Sequence, residues 1–203
     1  MGELKSWILI IIIALLLSLL VRAYVVQPYR VEMTSMYNTL TPNDLVLVDK
    51  VSYKLHPPRR GDVVVFVPPT MQNIKEPTLS EKLKAYFDFL FLRKPLPQWP
   101  VNDKYIKRII GLSGETISVQ ENAVYIDGRP LNEPYLHSPM LSNLPDTKIP
   151  EGYYFVMGDN RSVSLDSRSF GPVQMSSMVG KAIFVYWPFN HIEGLCAYSG
   201  ETP

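Results

Sequence analysis

Three short stretches of this chain hold the side chains best suited to nucleophilic chemistry. Residues 32–40 contain Ser35, shortly after a long apolar segment, and residues 105–111 form an apolar run that carries Lys107. Residues 158–168 contain two Asp, two Arg, one Asn and three Ser within eleven positions. A serine hydroxyl attacks a carbonyl efficiently only when a neighbouring base takes its proton. The first question is therefore which residue is that base.

Histidine is the usual base beside a nucleophilic serine, and the chain contains His56, His137 and His191. Each lies in a loop or beside a proline, which favours surface histidines over catalytic ones. No pair has the spacing that is typical of zinc ligands, so no metal is expected. A hydrolase that pairs Ser35 with a histidine is the alternative, and replacing each histidine in turn would test it.

Lysine is the remaining candidate base, and it acts only when its amine is neutral at the operating pH. Burial lowers the pKa of an amine from its usual value of about 10.4. Strand alternation places Lys107 and Arg108 on opposite faces, so we expect one of them to point inward. Because a guanidinium is far harder to deprotonate, Lys107 is the better base. The spacing alone favours a plainer interpretation, in which both are charges at a sheet edge.

The polar loop at residues 158–168 has a hydrogen-bonded turn as its default interpretation. Such a network can also orient a base. Ser164 carries a hydroxyl able to exchange a hydrogen bond with a lysine amine. Asp166 and Arg168 are two apart on an extended chain, so they face the same side and can form an ion pair.

Short apolar runs separated by turn residues predict a mainly β domain. The predicted strands are residues 29–31, 45–48, 63–67, 105–112, 116–119, 123–126, 153–157 and 181–187. Asp127-Gly128 predicts a tight hairpin. Residues 70–102 and 129–149 interrupt the pattern and are expected to be insertions or loops. Within the first, residues 79–92 begin with helical spacing and become aromatic, which suits a core helix and a membrane-surface segment equally.

Composition limits the classes of partner. The 203 residues include 20 Lys plus Arg and 19 Asp plus Glu, for a net charge of +1. This balance gives no signal for nucleic acid binding and none for an oligomeric state. The single cysteine, Cys196, has no partner for an intramolecular disulfide and is interpreted as a small hydrophobic residue.

A nearly uninterrupted apolar run covers Trp7–Val21. Its length as a helix is about 22 Å, short of a bilayer core of about 30 Å. Extension to Val26, with Arg22 snorkelling, reaches about 20 residues, which is enough. A cleaved secretory signal is the competing interpretation, but an uncleaved anchor is favoured because the candidate nucleophile follows directly. The expected division is residues 1–5, a transmembrane anchor at 6–26 and a catalytic domain at 27–203.

Four blocks of sequence carry these features in a fixed order. They are Ser-Met-Tyr-Asn-Thr-Leu at 35–40, Arg-Gly-Asp-Val-Val-Val-Phe at 60–66, Tyr-Ile-Lys-Arg-Ile-Ile-Gly-Leu-Ser-Gly at 105–114, and the polar loop continued to Phe-Gly-Pro-Val within 158–173. Together with the apolar N-terminal segment, this order resembles the bacterial type I signal peptidases over nearly the whole chain.

This resemblance implies a β-rich serine protease with a Ser-Lys dyad and no metal or cofactor. It implies a single-pass protein of the cell membrane, with residues 1–5 in the cytoplasm and the catalytic domain on the extracytoplasmic face. The expected partners are the lipid bilayer and the signal peptides of exported preproteins. Cleavage is expected after small residues at the first and third positions before the bond.

By position, the resemblance implies that Ser35 is the nucleophile and Lys107 the general base. It also implies that Ser164 hydrogen-bonds the lysine and that Asp166 and Arg168 form a supporting ion pair. The residues that match the lining of the family's shallow apolar substrate pockets are Tyr29, Val31, Leu40 and Ile106.

Three residues depart from the family's usual pattern. Asn38 stands where proline is usual, so we expect a looser turn after the nucleophile, and Ser113 also stands where proline is usual. Met33 stands where glycine or serine is usual, and serine supplies a hydroxyl to the oxyanion hole. Methionine supplies none, which predicts a slow enzyme. The alternative is a non-catalytic, membrane-tethered member of the same fold that binds exported proteins.

Overall fold

A computed structural model of the chain describes residues 2–71, 78, 80, 81, 84, 85, 87, 88, 103–136 and 142–195. The strands are β1 (Val26–Arg30), β2 (Leu45–Asp49), β3 (Val63–Phe66), β4 (Tyr105–Gly111), β5 (Thr116–Gln120), β6 (Ala123–Ile126), β7 (Arg129–Pro130), β8 (Leu144–Lys148), β9 (Tyr153–Met157), β10 (Val173–Gln174), β11 (Met178–Trp187) and β12 (Glu193–Gly194). The α-helices are α1 (Gly2–Tyr24), α2 (Ser52–Leu55) and α3 (Ser167–Phe170). Single 3₁₀ turns lie at Pro69–Met71, Met175–Ser177 and Phe189–His191. The predicted mainly β fold is confirmed.

Within the described residues, the strands form two antiparallel sheets. The larger has the order β1-β2-β11-β3-β4-β9-β10, with β12 also paired to β11, and the smaller has the order β7-β6-β5-β8. Strand β1 thus lies four places from β4 along the larger sheet, although the residues that follow β1 contact β4. The sheet must therefore curl around a core to bring them together.

Three apolar clusters fill the space around these sheets. The first lies inside the curl and combines side chains of β2, β3 and β11 with Met36 and Leu40, both fully buried. The second joins the two sheets, with Ile110 and Phe155 packed against Ile117. The third covers the other face of the larger sheet. β4 touches all three clusters, so its side chains are among the most constrained in the fold.

The hairpin predicted at Asp127-Gly128 is confirmed. Ile126 pairs with Arg129 across it, and both turn residues have positive φ, 49° for Asp127 and 76° for Gly128. These angles are typical of the type I′ turn that suits the twist of a hairpin.

The prediction that residues 129–149 are loop throughout is wrong, because β7 and β8 lie within them. β8 contains Pro145 and mostly polar residues, which obscured it in the sequence. It is an edge strand of the smaller sheet and pairs with β5. Proline is tolerated at such an edge because the side facing solvent needs no ladder hydrogen bond.

The N-terminal helix α1 has exposed apolar side chains from Trp7 to Ile13. Its described side chains are those of residues 6–15, 17, 18, 21 and 24. Among the residues that the structure describes, no helix is both long enough and apolar enough to span a membrane. The expected transmembrane segment is thus not supported at this point and stays a prediction.

The described part of residues 79–92 is helical at positions 80, 81, 84, 85, 87 and 88. Thr78 accepts a hydrogen bond from the Glu81 amide, and Glu81 accepts one from the Thr78 amide. This reciprocal capping box fixes the start of the helix. His137 and Cys196 lie outside the described residues.

Candidate active site

The side chains of Ser35 and Lys107 are buried and in contact with each other. Lys107 Nζ lies 2.6 Å from Ser35 Oγ and 3.1 Å from the carbonyl oxygen of Ile106. The serine is 7% exposed and the lysine 4%. A hydroxyl and an amine at this separation share a hydrogen bond, and a neutral amine there can accept the hydroxyl proton.

Strand pairing delivers the lysine and the polar loop to the same place. In the β4–β9 ladder, Met157 is the partner of Arg108. Because the strands are antiparallel, the loop that leaves β9 at Gly158 runs alongside Lys107. On its other side, β4 pairs Lys107 with Val64 of β3. The lysine stem is therefore held between two strands.

The nucleophile lies in a compact turn after β1. Val31 exchanges two backbone hydrogen bonds with the turn before β2: its amide donates to Asp44 and its carbonyl accepts from Asn43. The amide of Leu40 then donates to the carbonyl of Met36. Since Met36 and Leu40 are buried in the core inside the curl, Ser35 is anchored from both ends of its turn.

Burial lowers the pKa of Lys107 to about 8, and the carboxylates of Asp166 and Asp159 partly oppose this shift. The cause is desolvation, which penalises an ammonium more than a neutral amine. A lysine with this pKa is about one tenth neutral at pH 7 and about half neutral at pH 8. It thus has the protonation range that a general base requires.

Gly158 packs directly against the backbone of the serine. A Cβ at this position would lie 2.4 Å from the carbonyl oxygen of Ser35 and 2.3 Å from Ser164 Oγ. The same serine carbonyl accepts a hydrogen bond from the amide of Asn160, at 3.1 Å. The start of the polar loop therefore packs against the backbone of Ser35 and supports it.

The predicted ion pair of Asp166 and Arg168 is present. The Arg168 guanidinium donates to both carboxylate oxygens of Asp166 at 2.8 Å. Asp166 also accepts from the amide of Gly158 at 3.0 Å and caps helix α3. The pair thus holds the peptide that touches the serine.

The hydrogen bond expected between Ser164 and Lys107 is not present. Within the described part of the chain, Ser164 Oγ is buried and has no hydrogen-bond partner. The lysine directs its bonds to Ser35 Oγ and the Ile106 carbonyl instead. Ser164 packs so closely against Gly158 that a Cβ at position 158 would lie 2.3 Å from Ser164 Oγ.

The expectation that only one of Lys107 and Arg108 points inward is wrong, since Arg108 is also buried, at 3% exposure. Its guanidinium donates to both oxygens of Asp159, at 2.9 and 2.7 Å, and to the carbonyl of Gly61. It also donates to Thr39, whose hydroxyl in turn donates to Asp159. This network ties the serine turn to the polar loop. No local pattern pointed to it, because its members are far apart in sequence.

The four residues predicted to line the substrate pockets lie in one apolar cluster. Val31 and Leu40 are buried, at 3% and 0% exposure, while Tyr29 and Ile106 are partly buried against them. Leu40 ends the serine turn and Ile106 precedes the lysine along β4. The cluster is thus continuous with the Ser35–Lys107 pair.

The three departures from the family pattern have distinct surroundings. Asn38 has a φ of 90°, which proline cannot adopt. The Ser113 hydroxyl donates to Glu151 and accepts from the amide of Gly152, both at 2.8 Å. Met33 is 66% exposed, so its side chain lies on the surface beside the serine turn.

Neither described histidine contacts the serine. His56 is exposed, and His191 Nδ1 lies 3.0 Å from Asp44 Oδ2. Among the described residues, no group of three or more His, Cys, Asp or Glu side chains has the arrangement of a metal site.

The chain is similar in sequence to a known family of peptidases. The sequence profile described as "Signal peptidase, peptidase S26" matches residues 4–187. Probable signal peptidase I-1 of Synechocystis is 36% identical over 184 residues, covering 91% of this chain and 83% of its own length. Signal peptidase I of Bacillus licheniformis is 34% identical, covering 94% and 92%.

A solved structure of a signal peptidase I from Enterococcus faecalis is 29% identical and covers 62% of this chain and 97% of its own, with a TM-score of 0.42. The fold described above rests on the strand pairings and not on that overlap. The family assignment rests on the profile match and on the two relatives. This chain therefore belongs to the signal peptidase family, peptidase S26, and is a serine endopeptidase.

Proposed function

We propose that the protein is a membrane-anchored endopeptidase that removes N-terminal signal peptides from exported preproteins, with Ser35 as nucleophile and Lys107 as general base. The observation that carries this proposal is the 2.6 Å contact between Ser35 Oγ and Lys107 Nζ. It is supported by the burial of the lysine, because burial lowers the pKa of the amine to about 8, so that a large fraction of it is neutral near pH 8 and can accept a proton.

The proposed reaction proceeds by acyl transfer. Neutral Lys107 takes the hydroxyl proton of Ser35 while the oxygen attacks the carbonyl carbon of the scissile bond. The resulting ammonium gives its proton to the leaving amine, and the mature protein departs. Water then attacks the acyl-enzyme ester with Lys107 again as base, which releases the signal peptide and restores Ser35.

The backbone N–H of Ser35 is the proposed donor to the oxyanion. Among the described residues, the carbonyl of Ser35 accepts a backbone hydrogen bond from Asn160, whereas its amide donates none to a backbone carbonyl. This amide is thus available to a substrate oxygen. Exposed Met33 adds no side-chain donor, which predicts slower acylation than in a relative with serine there.

We propose that the cluster of Tyr29, Val31, Leu40 and Ile106 receives the small residues before the scissile bond. It adjoins both ends of the Ser35–Lys107 pair and is apolar. Its apolar lining suits short apolar side chains, which leave no polar group unpaired there. The proposal therefore includes specificity for small residues such as alanine.

Membrane anchoring through helix α1 is the remaining part of the proposal. It is supported by the exposed apolar side chains of Trp7 to Ile13, which no described part of the domain covers. Deletion of residues 1–24 is expected to release the protein from lipid vesicles while leaving the fold intact. Equal vesicle binding by the full and shortened chains would contradict the anchor without touching the catalytic proposal.

The experiment that tests the catalytic proposal uses the full chain in detergent and a model preprotein with an Ala-x-Ala site. Cleavage after the final alanine is expected for the parent chain, with no cleavage by Ser35→Ala or Lys107→Ala. Substitution of His56 or His191 is expected to leave cleavage intact. A parent chain that is folded and does not cleave would contradict the proposal and favour a non-catalytic, binding role.

A further inference from the structure

Arg161 of the polar loop forms a buried ion pair with Glu133, in addition to the ion pair of Asp166 and Arg168. Arg161 is fully buried, and its guanidinium meets the carboxylate of Glu133, whose side chain is 4% exposed. Both terminal nitrogens of the arginine donate to the glutamate, one of them at 3.0 Å. A buried ion pair of this kind is geometrically strict, because both charges have left water.

The Arg161–Glu133 pair acts on the peptide that supports the nucleophile. Arg161 Nε donates to the carbonyl oxygen of Gly158 at 3.0 Å, while the amide of Gly158 donates to Asp166. The residue that touches the Ser35 carbonyl is therefore held at both ends by ion-paired side chains. A shift of Glu133 would move the Gly158 carbonyl and with it the surface on which the serine rests.

The same segment also reaches the lysine strand. The Tyr135 hydroxyl donates to Glu133 at 2.7 Å. The guanidinium carbon of Arg108 lies 4.1 Å from the centre of the Tyr135 ring, a cation–π contact. Arg108 follows Lys107 directly on β4. Glu133 and Tyr135 thus connect the loop behind the serine with the strand that carries the base.

We propose that Glu133 and Tyr135 form a positioning clamp that holds Ser35 and Lys107 at their reactive separation. Neither residue touches the reacting atoms, so both act through Arg161 and Arg108. The proposal rests on the proposed Ser-Lys mechanism. It predicts that weakening the clamp lowers kcat and leaves KM nearly unchanged, because neither residue belongs to the apolar cluster proposed to receive the substrate.

The decisive comparison is Glu133→Gln against Glu115→Gln. Each removes one carboxylate from an arginine ion pair with an oxygen–nitrogen distance of 2.5 Å, but Glu115 pairs with Arg60 at the far end of β4. We expect Glu133→Gln to lower kcat by about 10²-fold, the loss that a displacement of about 1 Å produces. Glu115→Gln is expected to keep the parent's kcat.

Both variants are assayed with the Ala-x-Ala preprotein at a temperature where unfolding curves show each to be folded. Equal kcat for Glu133→Gln and the parent, or a loss confined to KM, would overturn the clamp. If Glu133→Gln does not fold, Tyr135→Phe decides, since it removes only the hydroxyl and keeps the ring over Arg108. It is expected to lower kcat less, and in the same direction, and an unchanged kcat would overturn the clamp. Absence of cleavage by the parent would instead contradict the proposed function.

Discussion

The two faces of strand β4 each carry a buried cationic residue type, lysine on one and arginine on the other, and the two side chains have different hydrogen-bond partners. On one face, Lys107 has a hydroxyl and a carbonyl as its hydrogen-bond partners, and no carboxylate of the described residues forms an ion pair with it. On the other face, Arg108 is bonded to a carboxylate, a carbonyl and a hydroxyl. Both side chains are buried to the same degree. Their partners differ: Arg108 has a bidentate carboxylate, whereas the hydrogen-bond partners of Lys107 are a hydroxyl and a carbonyl oxygen.

This difference separates reactivity from support. A buried ammonium without a carboxylate loses part of its affinity for the proton, which is useful in a base and costly for stability. A buried guanidinium with a bidentate carboxylate stays charged and fixes the geometry around it. Lys107 thus lies on the poorly paired face of β4 and Arg108 on the well paired one. The following predictions break or sharpen this contrast.

The largest effect is expected from Lys107→Met, which removes the base and keeps an apolar stem. Cleavage should fall by roughly 10²–10⁴-fold, as for the loss of a general base. The free energy of unfolding at pH 7 should rise by about 3 kcal/mol at most, the equivalent of the pKa reduction from 10.5 to about 8.

The stability gained in Lys107→Met should depend on pH. The folded parent binds fewer protons than the unfolded chain between pH 8 and 10.5, so its stability rises with pH in this window. The advantage of Lys107→Met should therefore be full below pH 8 and vanish toward pH 10.5. Denaturant unfolding at pH 7 and pH 10 measures it. Parallel stability of parent and variant across this range would contradict a depressed lysine pKa.

Breaking the paired face should destabilise the fold. Arg108→Gln leaves the carboxylate of Asp159 buried without its counter-ion, and we expect a loss of about 3–5 kcal/mol in the free energy of unfolding. Arg59→Gln, at an exposed position nearby, is the matched control and should change stability by less than about 0.5 kcal/mol. Urea denaturation compares the two, and similar small losses would show that the network is not a support.

Adding a hydrogen-bond donor near Ser35 should raise the rate of cleavage. Met33→Ser places a hydroxyl beside the proposed oxyanion site, and kcat is expected to increase by no more than roughly 10²-fold. Met33→Leu keeps an exposed apolar side chain of similar size and serves as control. Steady-state cleavage of the Ala-x-Ala preprotein measures both variants. Identical kcat values would mean that Met33 does not slow the enzyme.

The smallest effect is expected from neutralising Asp166, a carboxylate that is not hydrogen-bonded to the lysine. The Asp166 carboxylate raises the pKa of Lys107 against the larger effect of burial. In Asp166→Asn, the lysine should therefore become neutral at lower pH. The rising limb of kcat/KM should shift to lower pH than in the parent, even if its height falls because Gly158 loses an acceptor. A shift to higher pH would contradict the electrostatic assignment.

The fold was predictable wherever a strand has its own pattern. Continuous apolar runs gave β2 and β3, and the Asp127-Gly128 turn gave the hairpin of the smaller sheet. β8 was missed because an edge strand with a proline and polar residues has no such pattern. The curl of the larger sheet was also hidden, since it depends on which strands pair and not on any one strand.

The candidate site was predictable where chemistry is local to a residue type. Ser35 and Lys107 were candidates by residue type, and the family resemblance predicted them to be nucleophile and base; the structure brings their side chains into contact, while the roles stay a prediction. The partner of Arg108 was not identified, because Asp159 is 51 residues away and becomes a neighbour only through the β4–β9 ladder. The same holds for Glu133, whose place in a proline-rich loop gave no sign of its buried arginine.

The close contact at Gly158 has a consequence for how this gene can vary. The backbone there does not adopt the left-handed conformation that favours glycine, so the constraint comes only from the missing Cβ. Even alanine would press on the serine carbonyl and the Ser164 hydroxyl. In a saturation library selected for secretion, only the glycine codons are expected to survive at this position.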